Sequence, residues 1–212
     1  MRIVSAALLL VAYSLSCQPA RAAICPCGVE KEETGGGREY LKKRMPGDPK
    51  SATTATVAEI AAWPIPAPLH REDPPYGREN LPLRVHGRLQ TAWINPNDCD
   101  FRLDVSDREG SPDNVLQVEI PNTPDYCDLR IKIIKALKTQ SIDVPTTRTT
   151  TRLQYPPAVT VIGYPFLNRP RPTPRKSADT QTSTISNDRP AAAKPRWQIH
   201  PAFAVEWDTP TH

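Results

Sequence analysis

Residues 83–137 read LRVHGRLQTAWINPNDCDFRLDVSDREGSPDNVLQVEIPNTPDYCDLRIKIIKAL, and the fold turns on how this stretch alternates. Leu83, Val85, Leu89 and Trp93 share one phase, and Arg84, His86, Arg88 and Gln90 share the other, which is the period of a half-buried strand. Gly87 falls in the apolar phase, where a missing side chain permits a bend or a close backbone approach. After the turn Asn95-Pro96-Asn97-Asp98, a second strand sets Cys99, Phe101, Leu103 and Val105 against Asp100, Arg102 and Asp104. A third sets Leu116, Val118 and Ile120 against Gln117 and Glu119, beyond the turn-forming SDREGSPD.

A helix follows. Thr123 is its expected cap, Pro124 its first position, and Asp125 lies where the helix dipole favours a carboxylate. Tyr126, Leu129, Ile133 and Leu137 are its expected buried stripe. If the second and third strands form a hairpin, the chain after Pro121 returns beside Cys99, and Cys127 lies near that corner. A Cys99–Cys127 disulfide is the favoured pairing; it closes a loop of about 28 residues and contributes roughly 3 kcal/mol in the loop-entropy model.

The rest of the chain is poorer in core. With 25 prolines and 38% apolar residues in 212, one modest domain with long irregular flanks is expected. The start has the pattern of a signal peptide over 1–22: Arg2, the apolar run IVSAALLLVAYSL and the small-x-small Ala20-Arg21-Ala22. The alternative is a lipoprotein anchored at Cys17, although Leu15 stands one place too near that cysteine for a lipobox. Either route leaves Cys25, Cys27, Cys99 and Cys127, an even set suited to an oxidising compartment. Four cysteines allow three pairings, and Cys25-Pro26-Cys27 reads as a local or intermolecular disulfide, since CxC lacks the spacing of a thioredoxin-like site and no zinc-ribbon partner follows. No apolar run after the N-terminus reaches the roughly 18 residues of a membrane-spanning helix.

Residues 23–52 read as a disordered tether, and 53–82 as a short helix and linker, with Thr53 or Thr54 as cap, Val57, Ile60 and Trp63 as the docking face and Pro64 as the stop. The domain itself spans 83–207, interrupted by a proline-rich disordered insertion at 168–196, and 208–212 is a tail. Its last two strands are AVTVIGYPF, ended by Pro165, and WQIHPAFAVEW, with Trp197, Ile199, Phe203, Val205 and Trp207 in phase and His200 facing outward.

Three strands, a helix, a strand, a long loop and a strand is the order of a small five-stranded Greek-key barrel of the OB type, mainly β, with its helix between strands three and four. The run NDCDFRLDVSD at 97–107, VEIP at 118–121, Tyr126-Cys127 with Arg130 nearby, and WQIHPAF at 197–203 resemble a family of exported bacterial proteins of unknown function. Its pattern is DCD or DGD followed by HL, a VEIP-like strand, a cysteine, and a closing WEIHPV. The resemblance covers Leu83 to Trp207, with a longer insertion in this chain, and implies an exported OB-like barrel without naming an activity. Arg102 stands where that pattern often has histidine.

Charge is unevenly placed: acidic residues dominate from Asp98 to Asp128 and basic ones from Arg130 to Lys176, for a net +4 overall. A nuclease-like, metal-dependent hydrolase would draw on Asp98, Asp100, Asp104 and Glu119 with Arg102. Asp100, Arg102 and Asp104 alternate along one strand, however, and such a ladder is ordinarily a cross-strand salt bridge on a solvated surface. His86 and His200 would meet only where the barrel closes, and a structural role suits them better than a metal site. No nucleophile elbow, phosphate loop or dinucleotide fingerprint occurs. The expectation is therefore an exported, non-catalytic binding module with no cofactor or metal. Its ligand would lie on the outer face of strands two and three, near Arg84, His86, Arg88, Arg102 and His200. Candidate partners are an oligosaccharide, a peptide, a nucleic acid or another envelope protein. The two alternatives are the secreted hydrolase and a structural envelope component.

Overall fold

The computed structural model describes residues 25, 27–28, 38–66, 74–107, 114–145, 152–168 and 196–207. The signal peptide, Cys17, His70, most of the 168–196 insertion, the 208–212 tail and His212 lie outside the described residues. The elements are α1 (Glu39–Lys42), β1 (Thr53–Ala55), α2 (Val57–Ala61), β2 (Leu83–Ile94), β3 (Phe101–Ser106), β4 (Val115–Ile120), α3 (Cys127–Thr139), β5 (Ala158–Asn168) and β6 (Arg196–Trp207).

The sheet closes on itself in the order β2-β3-β4-β6-β5, with β2 also paired to β5. All barrel pairings are antiparallel except β4 with β6, which is parallel at Val118 and Ile199. That connectivity, with α3 between the third and fourth barrel strands, is the expected OB-like Greek-key barrel.

Closure depends on β2, which pairs with β5 along Leu83–Arg88 and with β3 along Arg88–Ile94. The strand coils between its two partners at Gly87, where a Cβ would come within 2.5 Å of Val105 Cγ1 and 2.7 Å of the Ser106 carbonyl oxygen. A bulge follows: Leu89 faces Val105 and Thr91 faces Asp104, so Gln90 is the extra residue. It shifts the phase by one, and Ala92 and Ile94 enter the core while the expected core residue Trp93 turns to the outer face.

Phe101, Leu103, Val105, Leu116, Val118, Ile120, Val161 and Ile199 fill the interior. In the helix, Tyr126, Arg130, Ile133 and Leu137 are buried and Leu129 only half-buried, so the stripe passes through Arg130 where Leu129 was expected. Pro165 does not end its strand: β5 runs on to Asn168, and Pro165 sits opposite Ile199 beside a register shift.

The N-terminal part also departs from expectation. Within the proposed tether, α1 buries Leu41 to 1% exposure, and β1 adds to β2 in parallel. Thr56, not Thr53 or Thr54, caps α2 through a reciprocal capping box with Glu59, while Asp107 accepts from the backbone N–H groups of Val57 and Ala58 at 2.9 Å. Val57 and Ile60 then plug into the core. Glu79, 0% exposed, ties residues 38–44 to the barrel: its carboxylate takes Arg38 Nη2, Tyr76 N at 2.8 Å and Leu167 N at 3.0 Å, and its carbonyl takes Arg44 Nη1 at 2.5 Å. A tether has no use for such a buried anchor.

The expected Cys99–Cys127 disulfide is not formed. Cys25 pairs with Cys99 and Cys27 with Cys127, with Cα separations of 5.4 and 5.6 Å. The hairpin argument placed both core cysteines at one corner. However, Arg130 from α3 reaches across it, donating Nη1 to the Cys99 carbonyl at 2.7 Å, and each cysteine takes one member of the N-terminal pair instead.

Candidate functional site

The outer face of β3, β4 and β6 carries a continuous polar row. Trp93 pairs across to Arg102, and Arg102 to Glu119. Because Val118 and Ile199 pair in parallel, the next residues, Glu119 and His200, stand side by side on the outer face. His200 does point out of the barrel, as its phase required, but it is 1% exposed, not solvated. Phe166 edges its ring at 5.9 Å, and Lys42 from α1 lies 5.5 Å over Phe166, so the described N-terminal segment approaches the face from above. The outward histidine and the solvated carboxylate ladder are corrected for that reason: outward from a small barrel is inward toward whatever lies on it.

His200 sits between two carboxylates. Its Nδ1 is 3.2 Å from Glu119 Oε2 and 3.2 Å from the side-chain amide nitrogen of Gln198, which is itself bonded to Asn168 at 3.1 Å. Its Nε2 is 3.6 Å from Asp100 Oδ2 and has no hydrogen-bond partner. Asp100 accepts from the Asn122 backbone N–H at 3.1 Å. One ligand atom from each of Asp100, Glu119 and His200 lies within 4.8 Å of the others. Around them, Arg102 Nη2 reaches Asp98 at 2.8 Å and Glu119 at 3.6 Å, and its guanidinium lies 5.2 Å from the Trp93 ring.

Burial pushes the His200 imidazole below its ordinary range, with Lys42 and Arg102 acting the same way against Glu119. Burial pushes the Glu119 carboxyl up, but His200, Arg102 and Lys42 together outweigh it and hold the group below the usual carboxylate range. Arg130 is lowered by burial, offset by Asp100 and Asp98.

The remaining predicted residues are elsewhere or engaged. Asp104 accepts from the Thr91 hydroxyl at 2.7 Å, and Asp98 accepts from Asn95 at 2.5 Å and from the Asp100 backbone at 3.0 Å. Arg84, His86 and Arg88 form a separate ridge on β2: Arg84 pairs with Glu206 at 2.8 Å, His86 Nδ1 is 2.7 Å from Thr160 Oγ1, and Arg88 donates to the Pro156 carbonyl at 3.4 Å. Through Thr160 the His86 row reaches Glu206, six positions along β6 from His200, so the two histidines do not meet. Sequence reading missed Lys42, Gln198, Phe166 and Arg130; only Arg130 left a signal, a charge lying on the apolar stripe of its helix.

Away from this face a concavity of about 600 Å³ opens between Ala92 and the segments 140–145 and 152–155; Arg152, which donates to Gln90 at 3.0 Å, and the exposed Tyr155 are among its lining. Among the described residues no helix is long and apolar enough to cross a membrane. No family model, no curated protein and no solved structure matches the chain.

Proposed function

We propose that the chain is an exported, disulfide-stapled, non-catalytic binding module that takes its ligand on the outer face of β3 beside β2, at Trp93 and Arg102. The observation that carries this reading is the Trp93–Arg102 pair: a half-buried indole with a cation 5.2 Å away, on the face where OB-type barrels bind oligosaccharides and oligonucleotides. The carboxylates that a hydrolase would need bond instead to Thr91, Asn95, Arg102 and backbone N–H groups. Export draws its support from the sequence pattern of residues 1–22 and from two disulfides, which persist in oxidising compartments.

Titrating the purified protein with anionic and neutral oligosaccharides, oligonucleotides and peptides while following tryptophan emission tests the reading. Saturable quenching that is lost in Trp93→Ala and weakened in Arg102→Gln is the expected result. Chelator-sensitive cleavage of any of these ligands would instead assign the chain to the hydrolases.

A further inference from the structure

The concavity beside Ala92 is walled by two segments that backbone bonds tie to the barrel. Pairing of β2 with β5 ends where Arg88 faces Ala158. Further along β2, the Leu153 N–H donates to the Gln90 carbonyl at 2.8 Å and the Ile94 N–H donates to the Pro145 carbonyl at 3.0 Å. The Ile142 N–H closes on the Leu137 carbonyl at 3.0 Å, which ties the first wall to the end of α3. Ala92 belongs to the core, and Ile142, Val144 and Leu153 pack against it from the walls. The space of about 600 Å³ between them therefore has an apolar lining and the size of a small-molecule site.

One cation in that lining is held by a buried partner. Gln90, the bulged residue of β2 and 2% exposed, turns its amide nitrogen to Ser106 Oγ at 2.8 Å and to the Arg88 carbonyl at 3.4 Å. Its Oε1 is left to accept from Arg152 Nε at 3.0 Å. That bond fixes the guanidinium through Nε and leaves both Nη groups without a partner among the described residues. We propose that the concavity binds an amphipathic carboxylate, its anion on Arg152 Nη1 and Nη2 and its hydrocarbon body against Ala92, Ile142, Val144 and Leu153. Two parallel N–H donors on a planar fork match the two oxygens of a carboxylate. Tyr155, 77% exposed, adds an aromatic surface that folding leaves uncovered. Asp143, the one carboxylate in the lining, is exposed and has no bond among the described residues, so it is free to turn to water while Arg152 is held. Gln90 is the positioning residue. Neither Trp93 nor Arg102 lines this space, and the site stands independently of ligand binding there.

Calorimetric titration of the disulfide-intact protein with octanoate, 1-octanol and octylamine tests the proposal, with methyl resonances of Ala92 and Leu153 reporting the place of binding. The expected result is one octanoate per chain, bound about 10-fold more tightly than octanol and more tightly still than octylamine, with shifts at both methyl groups. Arg152→Gln should bring octanoate down to the affinity of octanol and leave octanol unchanged, whereas Val144→Asp should weaken both. Arg84→Gln makes the same change of charge on the β2 ridge and should alter neither. Circular dichroism and the unliganded melting temperature show whether each variant is folded; should Arg152→Gln not fold, the ratio of octanoate to octanol affinity in the unaltered protein decides. Absence of saturable octanoate binding, equal affinity for octanoate and octanol, preference for octylamine, or undiminished octanoate binding by a folded Arg152→Gln would each overturn the proposal.

Discussion

Glu119 on β4 and His200 on β6 stand side by side on two parallel strands, their side chains 3.2 Å apart and both almost fully buried on the outside of the barrel. The pair is the point where the polar face stops being surface. Removing the imidazole leaves the carboxylate buried with fewer partners, which in comparable buried pairs destabilises by about 3–5 kcal/mol. His200→Ala should therefore lower the urea midpoint strongly, whereas His86→Ala, on its exposed ridge, should change stability by no more than about 0.5 kcal/mol.

The same pair sets an acid limb. His200 is depressed below its ordinary 6.5 and Glu119 below its ordinary 4.5, so in both cases the unfolded chain binds the proton more readily. Their contributions are complete above those ordinary values and are lost as pH falls through the lower folded-state ones. Denaturant midpoints measured from pH 8 downward should fall from below about pH 6.5, and His200→Gln should flatten the upper part of that fall. A midpoint that rises between pH 7 and pH 5 would contradict the assignment.

Glu79 holds residues 38–44 in place from beneath. Glu79→Gln preserves shape but removes the charge opposite Arg38 and one acceptor for the N–H groups of Tyr76 and Leu167, at an expected cost of about 2–4 kcal/mol. Hydrogen exchange should show residues 38–44 opening first, before the β2–β3 hairpin.

At Gly87 the limit is space. An added methyl group meets Val105 and Ser106, and the Ser106 contact is backbone. Gly87→Ala should destabilise by about 1–3 kcal/mol in chemical denaturation, while Gly77→Ala, with open space around it, should be close to neutral.

The strands of the barrel were legible because each of Phe101–Ser106 and Val115–Ile120 alternates without interruption, and the order of elements then left few closed topologies. Trp93 was misplaced because a single extra residue, Gln90, inverts the phase of everything after it, and a bulge leaves no mark in a hydrophobic pattern. His200 was assigned to the right side of its strand and the wrong environment. What covers that side is Leu41 and Lys42 in a charged, glycine-dotted stretch whose composition resembles a tether, with its anchor, Glu79, far along the chain. The cysteine corner was found correctly by hairpin geometry, yet pairing depends on which third segment arrives there, and two residues in Cys25-Pro26-Cys27 carry no record of their destination.

Non-reduced peptide mapping of the purified protein tests the central claim, that the N-terminal segment is stapled onto the barrel at both core cysteines. After trypsin, the peptide ending at Lys31 should be joined to both 89–102 and 109–130 in one three-peptide species, with Cys25 linked to Cys99 and Cys27 to Cys127 on fragmentation. Recovery of 89–102 joined directly to 109–130, with Cys25 and Cys27 closed on each other or free, would contradict it.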